Sequence, residues 1–202
     1  MLRASKVALS SAVFLVLGTT ISTNALLQRR GARVVYLTTA GFEDIPYIQR
    51  INRKYHYDLA WIKPAPFVAR SDCLGVAERI GQHGEIVQPL EGKEIERAAS
   101  LIGERLGESD STAVAINFLF SYLNPVHEQM MRDFLLDKFP TLSVSVSHEV
   151  APIWREYERG STTIIDAFCK PSLVRFVGNL SHGLQERGMT RPWALMKSNG
   201  GI

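Results

Sequence analysis

Three strings of small polar residues in this chain have the types and spacing to do chemistry. The first, GTTISTNALLQRRG from Gly18 to Gly31, sets Gly18, Thr19, Thr20, Thr23 and Asn24 where a strand would open onto a helix. Backbone N–H groups and threonine hydroxyls in such a loop can be aimed at a phosphate, and the helix dipole adds favourable charge. Threonine and asparagine also cap helices for purely structural reasons, so the bare string leaves both readings open. The second, SNGG, comprises Ser198, Asn199, Gly200 and Gly201. Paired glycines after a strand let the backbone approach a ligand closely, and a plain turn is the other account.

The third string, SHEVAPIWREYERGSTTIIDAF from Ser147 to Phe168, carries the titratable pairs His148 with Glu149 and Glu156 with Glu158. These are the candidate catalytic residues, because paired carboxylates serve acid–base chemistry or hold a metal through water. Alternatively, Ser161 or Thr162 caps a long helix, the glutamates form exposed pairs with Arg155 and Arg159, and His148 is a strand-end hydrogen-bonding group. His127 and Glu128 fall in the first turn of a helix, where an exposed or capping role is expected. Asp44 is expected to cap the helix that follows it, and no function is assigned to His56, His83 or His182.

Elements that would position these groups can be read from periodicity. AVFLVL, RVVYLTT and TAVAINFLF are apolar runs of strand length, expected to be neighbouring central strands with helices over both faces. Helices are predicted over Ile21 to Arg30, stopped by Gly31; over LEGKEIERAASLIGERLG, with Ile95, Ala98, Ala99, Ile102 and Leu106 on one stripe; and over PVHEQMMRDFLLDKF, introduced by Asn124 and ended by Pro140. A short helix is expected in FEDIPYIQRI and a long one from about Ser161 to Arg187. KPAPFVAR must be extended, CLGVAERI and EIVQPL read as a hairpin around Gly81 to Gly84, LSVSVS alternates as a strand, and WALMKS is the last strand. Strands alternating with helices make the fold class α/β, with a largely central sheet.

Composition removes several function classes. The 202 residues suit one substantial core, with 46% hydrophobic and 21% charged residues in the globular range. A net charge of +3 is too small and too dispersed to imply nucleic acid. Cys73 and Cys169 stand in no ligand spacing, so no zinc site or disulfide framework is signalled and no metal site is assigned. There is no GxSxG elbow, HExxH or GxxxxGK[ST] loop. Residues 1–25 have the outline of a secretory signal, with Arg3 and Lys6, an apolar run from Val7 to Leu17 and a possible break after Ala25. The run is too short to span a membrane, and the strand reading of AVFLVL is preferred, which makes the expected location cytoplasmic, with secretion as the alternative.

Taken together with TTAGFEDI, ERIGQHGEIVQPL and FLFSYLNPVHE, the three polar strings resemble the N-terminal region of the hydantoinase/oxoprolinase A-type proteins, relatives of the ketone carboxylases, from Gly18 to Ile202. That resemblance implies a ribonuclease-H-like lobe of the actin and sugar-kinase type, with the start of a second lobe. Its domains would be a first strand or leader at 1–17, an N-terminal-type domain at 18–169, and a second domain begun at 170–202. It also implies ATP with Mg²⁺ as cofactor, Gly18, Thr19, Thr20, Thr23, Asn24 and Ser198 to Gly201 as the cofactor-binding residues, and phosphorylation of a small cyclic amide whose ring water then opens. A B-type subunit or a second copy of the chain is the implied partner.

The chain departs from the family pattern at Leu17 and Phe120, where histidines are usual, and at Gly160, where threonine or a similar residue is usual. The phosphate-gripping DxGGT turn does not precede the GTT string; MLRASKVALSSA stands there instead. A fragment of a cyclic-amide hydrolase is therefore one expectation, and a non-catalytic binding module that pairs with a full-length relative is the other.

Overall fold

In the computed structural model, residues 13–50, 54–55, 57–107, 111–196 and 201 are described. The chain divides into two compact units, Gly31–Pro171 and the described parts of Met1–Arg30 with Ser172–Ile202.

The larger unit is built on four parallel strands in the order β3-β2-β6-β7: β2 (Arg33–Thr39), β3 (Cys73–Val76), β6 (Thr112–Asn117) and β7 (Ser143–Val146). Side chains alternate across a strand, and the two faces of this sheet differ in chemistry. Val35 and Leu37, Val114 and Ile116, and Val144 and Val146 form one face. It packs on the apolar stripes of α3 (Gly92–Leu106) and α4 (Val126–Lys138), which supply Ile95, Ala98, Ala99, Ile102, Met131 and Leu135.

The other face carries small and polar residues. Tyr36 lies opposite Ala115, which lies opposite Ser145, and Thr38 lies opposite Asn117. Alanine between the larger neighbours leaves room for the Tyr36 ring, which is fully buried. Here, beyond the single turn α5 (Ser147–Val150) that follows β7, α6 (Glu156–Glu186) contributes Arg159, Thr163, Ile164, Ala167 and Phe168, all buried. Two glycines permit that approach. A Cβ on Gly160 would stand 2.7 Å from both Asn117 Nδ2 and the Tyr36 hydroxyl, and one on Gly31 would meet the Phe168 ring at 2.5 Å.

The smaller unit pairs β1 (Leu15–Leu17) in parallel with β8 (Trp193–Leu195) and continues from β1 into α1 (Ile21–Gln28). The division between the units falls inside α6, at Pro171.

Several expectations need correction. RVVYLTT and TAVAINFLF are neighbours, but AVFLVL is not in their sheet: only Leu15–Leu17 is strand, each residue is half-buried, and its partner is β8. A strand covered on both faces would be fully buried, as β2 is over its last six residues. The strand in TAVAINFLF stops at Asn117, because Phe120 turns the chain at φ 56°. Of the expected hairpin only β4 (Arg79–Ile80) and β5 (Ile86–Gln88) pair, while Cys73–Val76 joins the main sheet beside β2. Helix α1 ends at Gln28, with Arg29 rather than Gly31 taking the left-handed position at φ 51°. Asp44 stands at the N-cap of α2 (Ile45–Ile48) but makes no side-chain cap bond, its carboxylate pairing with Arg70 at 2.5 Å. Ser161 and Thr162 lie inside α6, which begins at Glu156, and bond back to the carbonyls of Tyr157 and Glu158.

Tyr36 and Cys73 are register partners on β2 and β3, and burial pushes each up to about 12, from ordinary values of 10.0 and 9.0. In the unfolded chain the thiol and the phenol ionise near their ordinary values, so between pH 9 and about 12 the unfolded state holds fewer protons. Stability is complete below pH 9 and falls as pH rises, with a slope of up to about 1.4 kcal/mol per pH unit for each group. Urea midpoints at intervals from pH 8 to 11 will show this decline, and a Cys73→Ser variant will show a shallower one. A flat profile above pH 9 would refute it.

Candidate functional site

Parallel strands deliver their following loops to one edge, and in open α/β sheets that carboxyl edge is where ligands bind. In the larger unit this edge is occupied by a buried polar cluster. Thr39 ends β2, Glu78 follows β3, Asn117 ends β6, Ser147 follows β7, and α4 and α6 add His127, Glu128 and Arg159, all buried.

The cluster has two arms. In the first, Glu78 accepts the Thr39 hydroxyl on Oε1 and bonds His127 Nδ1 through Oε2 at 2.7 Å. His127 Nε2 accepts the Leu90 N–H at 3.3 Å, so Nδ1 carries the proton and donates to Glu78. Thr39 Oγ1 in turn accepts the Leu119 N–H at 2.9 Å. In the second arm Glu128, 0% exposed, accepts from Phe118 N (2.9 Å), Ser147 Oγ (2.6 Å), His148 N (3.0 Å) and His148 Nδ1 (2.6 Å). Arg159 is 1% exposed and donates to Asn117 Oδ1, Ser147 Oγ and the carbonyls of Phe118 and Ile153. Asn117 Nδ2 donates to the Tyr36 hydroxyl at 2.8 Å, which ties the edge to the sheet interior.

Buried charge is tolerated only when paired and hydrogen-bonded, and both conditions hold here. His127, read as exposed or capping, Arg159, which one of two readings put in exposed pairs, and Glu128 are therefore interior groups. Their first-turn and helical positions gave no sign of this, because the partners come from other elements.

Of the four catalytic candidates, His148 and Glu149 approach each other, Nε2 to Oε1 at 3.8 Å, while Glu156 and Glu158 are held by other partners. His148 is held by Glu128, whereas Glu149 is exposed and pairs with Arg132 at 2.6 Å. Glu156 uses its carbonyl to accept from Asn117, and Glu158 pairs with Arg50 at 2.5 Å. At Glu158 burial raises the carboxyl, but the Arg50 hydrogen bond and charge outweigh it and hold it below its ordinary value. Among the described residues no three His, Cys, Asp or Glu side chains are grouped to hold a metal. Nor is any helix among the described residues long and apolar enough to cross a membrane.

Beside the second arm lies a cavity of about 360 Å³ whose lining includes Arg50, Phe120, Tyr122, Trp154, Arg155 and Arg159. Among the described residues four non-glycine residues have positive φ: Arg29, Gln49, Phe120 and Arg155. Phe120 and Arg155 line this cavity and Gln49 precedes Arg50. Strained backbone gathered at one place marks a functional-site candidate.

In the smaller unit, Gly18, Thr19 and Thr20 follow β1 and are exposed, with open space where a Gly18 Cβ would stand. Thr19 Oγ1 accepts the Ile21 N–H at 3.3 Å, and Thr20 Oγ1 accepts Asn24 Nδ2 at 3.2 Å. Each hydroxyl thus keeps its own proton for an outside acceptor. Thr23 and Asn24 are exposed in the first turn of α1. Because β1 and β8 run parallel, Leu17 opposite Leu195, the chain leaves both strands at the same end of the pair. Ser198, Asn199 and Gly200 lie outside the described residues, and Gly201 is exposed.

Comparison with known proteins places this geometry among relatives. A family model described as the hydantoinase/oxoprolinase N-terminal region matches residues 1–139. The chain is 36% identical over 191 residues to an uncharacterised protein of Methanocaldococcus jannaschii, covering 93% of this chain and 28% of that one. It is 32% identical over 187 residues to caprolactamase subunit alpha of Pseudomonas jessenii, covering 92% of this chain and 26% of that subunit. The crystal structure of the ATP-dependent caprolactamase from Pseudomonas jessenii superposes with a TM-score of 0.86 at 31% identity, over 96% of this chain and 28% of that one. The chain spans about a quarter of the length of these two curated relatives.

Proposed function

The chain belongs to the hydantoinase/oxoprolinase family, and from that premise we propose that it supplies a phosphate-binding part of an ATP-dependent enzyme that opens cyclic amide rings. The observation that carries this reading is the Gly18–Thr20 loop. It leaves a parallel strand at its carboxyl end, is exposed, and presents two threonine hydroxyls whose protons meet no acceptor among the described residues. Those groups suit the oxygens of a phosphate. Gly18, Thr19, Thr20, Thr23 and Asn24 would hold the triphosphate end of ATP with its Mg²⁺, and Ser198 to Gly201, which follow β8 in sequence, would be the further contacts.

Bound ATP would supply the phosphoryl group that activates the amide oxygen toward water. The protein's share is to orient the phosphates with neutral donors and to keep the loop fixed through the Thr19 and Thr20 bonds to α1. A related protein bears the name caprolactamase subunit alpha, which favours assembly with a second kind of subunit over a second copy of this chain.

The test is titration of ¹⁵N-labelled chain with Mg·ATP. Amide shifts are expected at Gly18 to Asn24 with millimolar affinity, worth about 4 kcal/mol, because one loop contributes few contacts. Thr19→Val with Thr20→Val will remove those shifts while leaving the unfolding temperature within a few degrees, valine being close in volume. If no amide of this loop moves, or if the valine variant loses stability and shifts together, the threonines are structural caps and the reading is overturned.

A further inference from the structure

The cavity at the carboxyl edge of the four-stranded sheet belongs to the larger unit and takes no part in the nucleotide reading. Its volume of about 360 Å³ is that of a small-molecule pocket, roughly 300–1,000 Å³. Charge on the lining is one-sided: Arg50, Arg155 and Arg159 face it with Glu156 as the one lining carboxylate. The three arginines are not equivalent. Arg159 is fixed by its four hydrogen-bond acceptors, and Arg50 is held by Glu158. Arg155 makes no ion pair within 4.0 Å among the described residues, its charge reaching the Glu158 carboxyl only at longer range; its guanidinium lies over the Trp154 ring, 4.3 Å from the centroid. A flat guanidinium lying against an indole keeps its in-plane N–H fork free for a planar anion.

Aromatic surface completes the lining. Trp154 is 64% exposed, the Phe120 ring lies 6.3 Å from that of Tyr122, and Tyr122 stands 5.3 Å from the Arg159 guanidinium. Phe120 at φ 56° and Arg155 at φ 78° hold backbone conformations that non-glycine residues seldom adopt. Both line the cavity, one beside its aromatic wall and the other at its free cation. We propose that this cavity binds a small organic carboxylate with a flat apolar body, its carboxylate on Arg155 and its body against Trp154, Phe120 and Tyr122. Inorganic phosphate satisfies the cation and leaves the aromatic walls unused, so it will bind less well.

Benzoate and benzamide are matched probes, nearly identical in shape and differing in charge. The 202-residue chain titrated with benzoate will show saturable shifts of the Trp154 indole N–H and the Arg155 amide, with benzamide about tenfold weaker. Arg155→Gln will bring benzoate down to benzamide's affinity without changing the circular dichroism, since Arg155 is exposed. Trp154→Ala will weaken both ligands. The proposal is overturned if benzoate binds no better than benzamide, if phosphate equals benzoate, if Arg155→Gln leaves the preference intact, or if the shifts fall on other residues. None of these results depends on whether nucleotide binds at the Gly18 loop.

Discussion

Replacing Glu128 by alanine will destabilise the protein by about 3–5 kcal/mol, the range for breaking a buried charged network by removing one partner. This carboxylate is 0% exposed and serves four donors at 2.6–3.0 Å, two of them backbone N–H groups, of Phe118 and His148. Alanine leaves the Phe118 and His148 backbone N–H groups without this acceptor, each orphaned group costing about 1–3 kcal/mol before relaxation, while the Ser147 hydroxyl can turn to Ser121 Oγ at 3.0 Å. Glu128→Gln keeps the volume and one acceptor oxygen but points two donors at His148 or Ser147, so its cost will be smaller and still measurable. Glu149→Ala is the control: that exposed pair with Arg132 is worth about 0.5 kcal/mol or less. Urea denaturation of the three variants decides the matter. A Glu128→Ala loss no larger than that of Glu149→Ala would show that the network contributes nothing.

Arg159→Met is expected to cost about 3–5 kcal/mol as well, for the complementary reason. Arg159 is among the largest fully buried side chains, and the change orphans acceptors: Asn117 Oδ1 and the carbonyls of Phe118 and Ile153. Burial pulls its guanidinium below the ordinary value, and the Glu128 charge is the foremost influence opposing that. The two charges share Ser147, whose Oγ accepts from Arg159 Nε and donates to Glu128. Combining Arg159→Met with Glu128→Gln will therefore cost about 1–3 kcal/mol less than the sum of the single losses. Strict additivity in the double-mutant cycle would mean that the two charges act independently, contrary to the geometry around Ser147.

Elements whose signal is local were legible in the sequence. RVVYLTT is a buried strand because its run of β-branched and aromatic residues suits a sheet covered on both faces. Helix α3 buries the stripe Ile95, Ala98, Ala99 and Ile102 because spacing of three and four places those residues on one face. Asn124 marks the entry to α4, its Oδ1 accepting the Val126 N–H at 3.2 Å, although Pro125 rather than Asn124 takes the N-cap position. The polar strings, read as a resemblance, led to the hydantoinase/oxoprolinase family, which the match over residues 1–139 bears out.

The candidate site was legible only in its pieces. SHEV and EYER were singled out, but Glu78, Asn117 and Glu128, which organise that edge, were not. Glu78 meets His127 across 49 positions, Arg159 meets Asn117 across 42, and Ser147 meets Glu128 across 19. Periodicity reports which face of an element is apolar and carries no information about which distant polar group will stand opposite. A glutamate in a first helical turn reads as a dipole-stabilising surface residue, and only a sheet edge that brings four donors to it makes it a buried anchor. Strand order is non-local in the same way: β1 has the composition of a sheet strand, yet its partner is β8. The sequence by itself determined the elements, the apolar face of the sheet and the family, because these rest on neighbours within a few residues. The tertiary structure alone decided the strand order, the burial of Glu128 and Arg159 and the free Arg155 beside its cavity, because pairing of charges and strands depends on which distant segments the fold brings together.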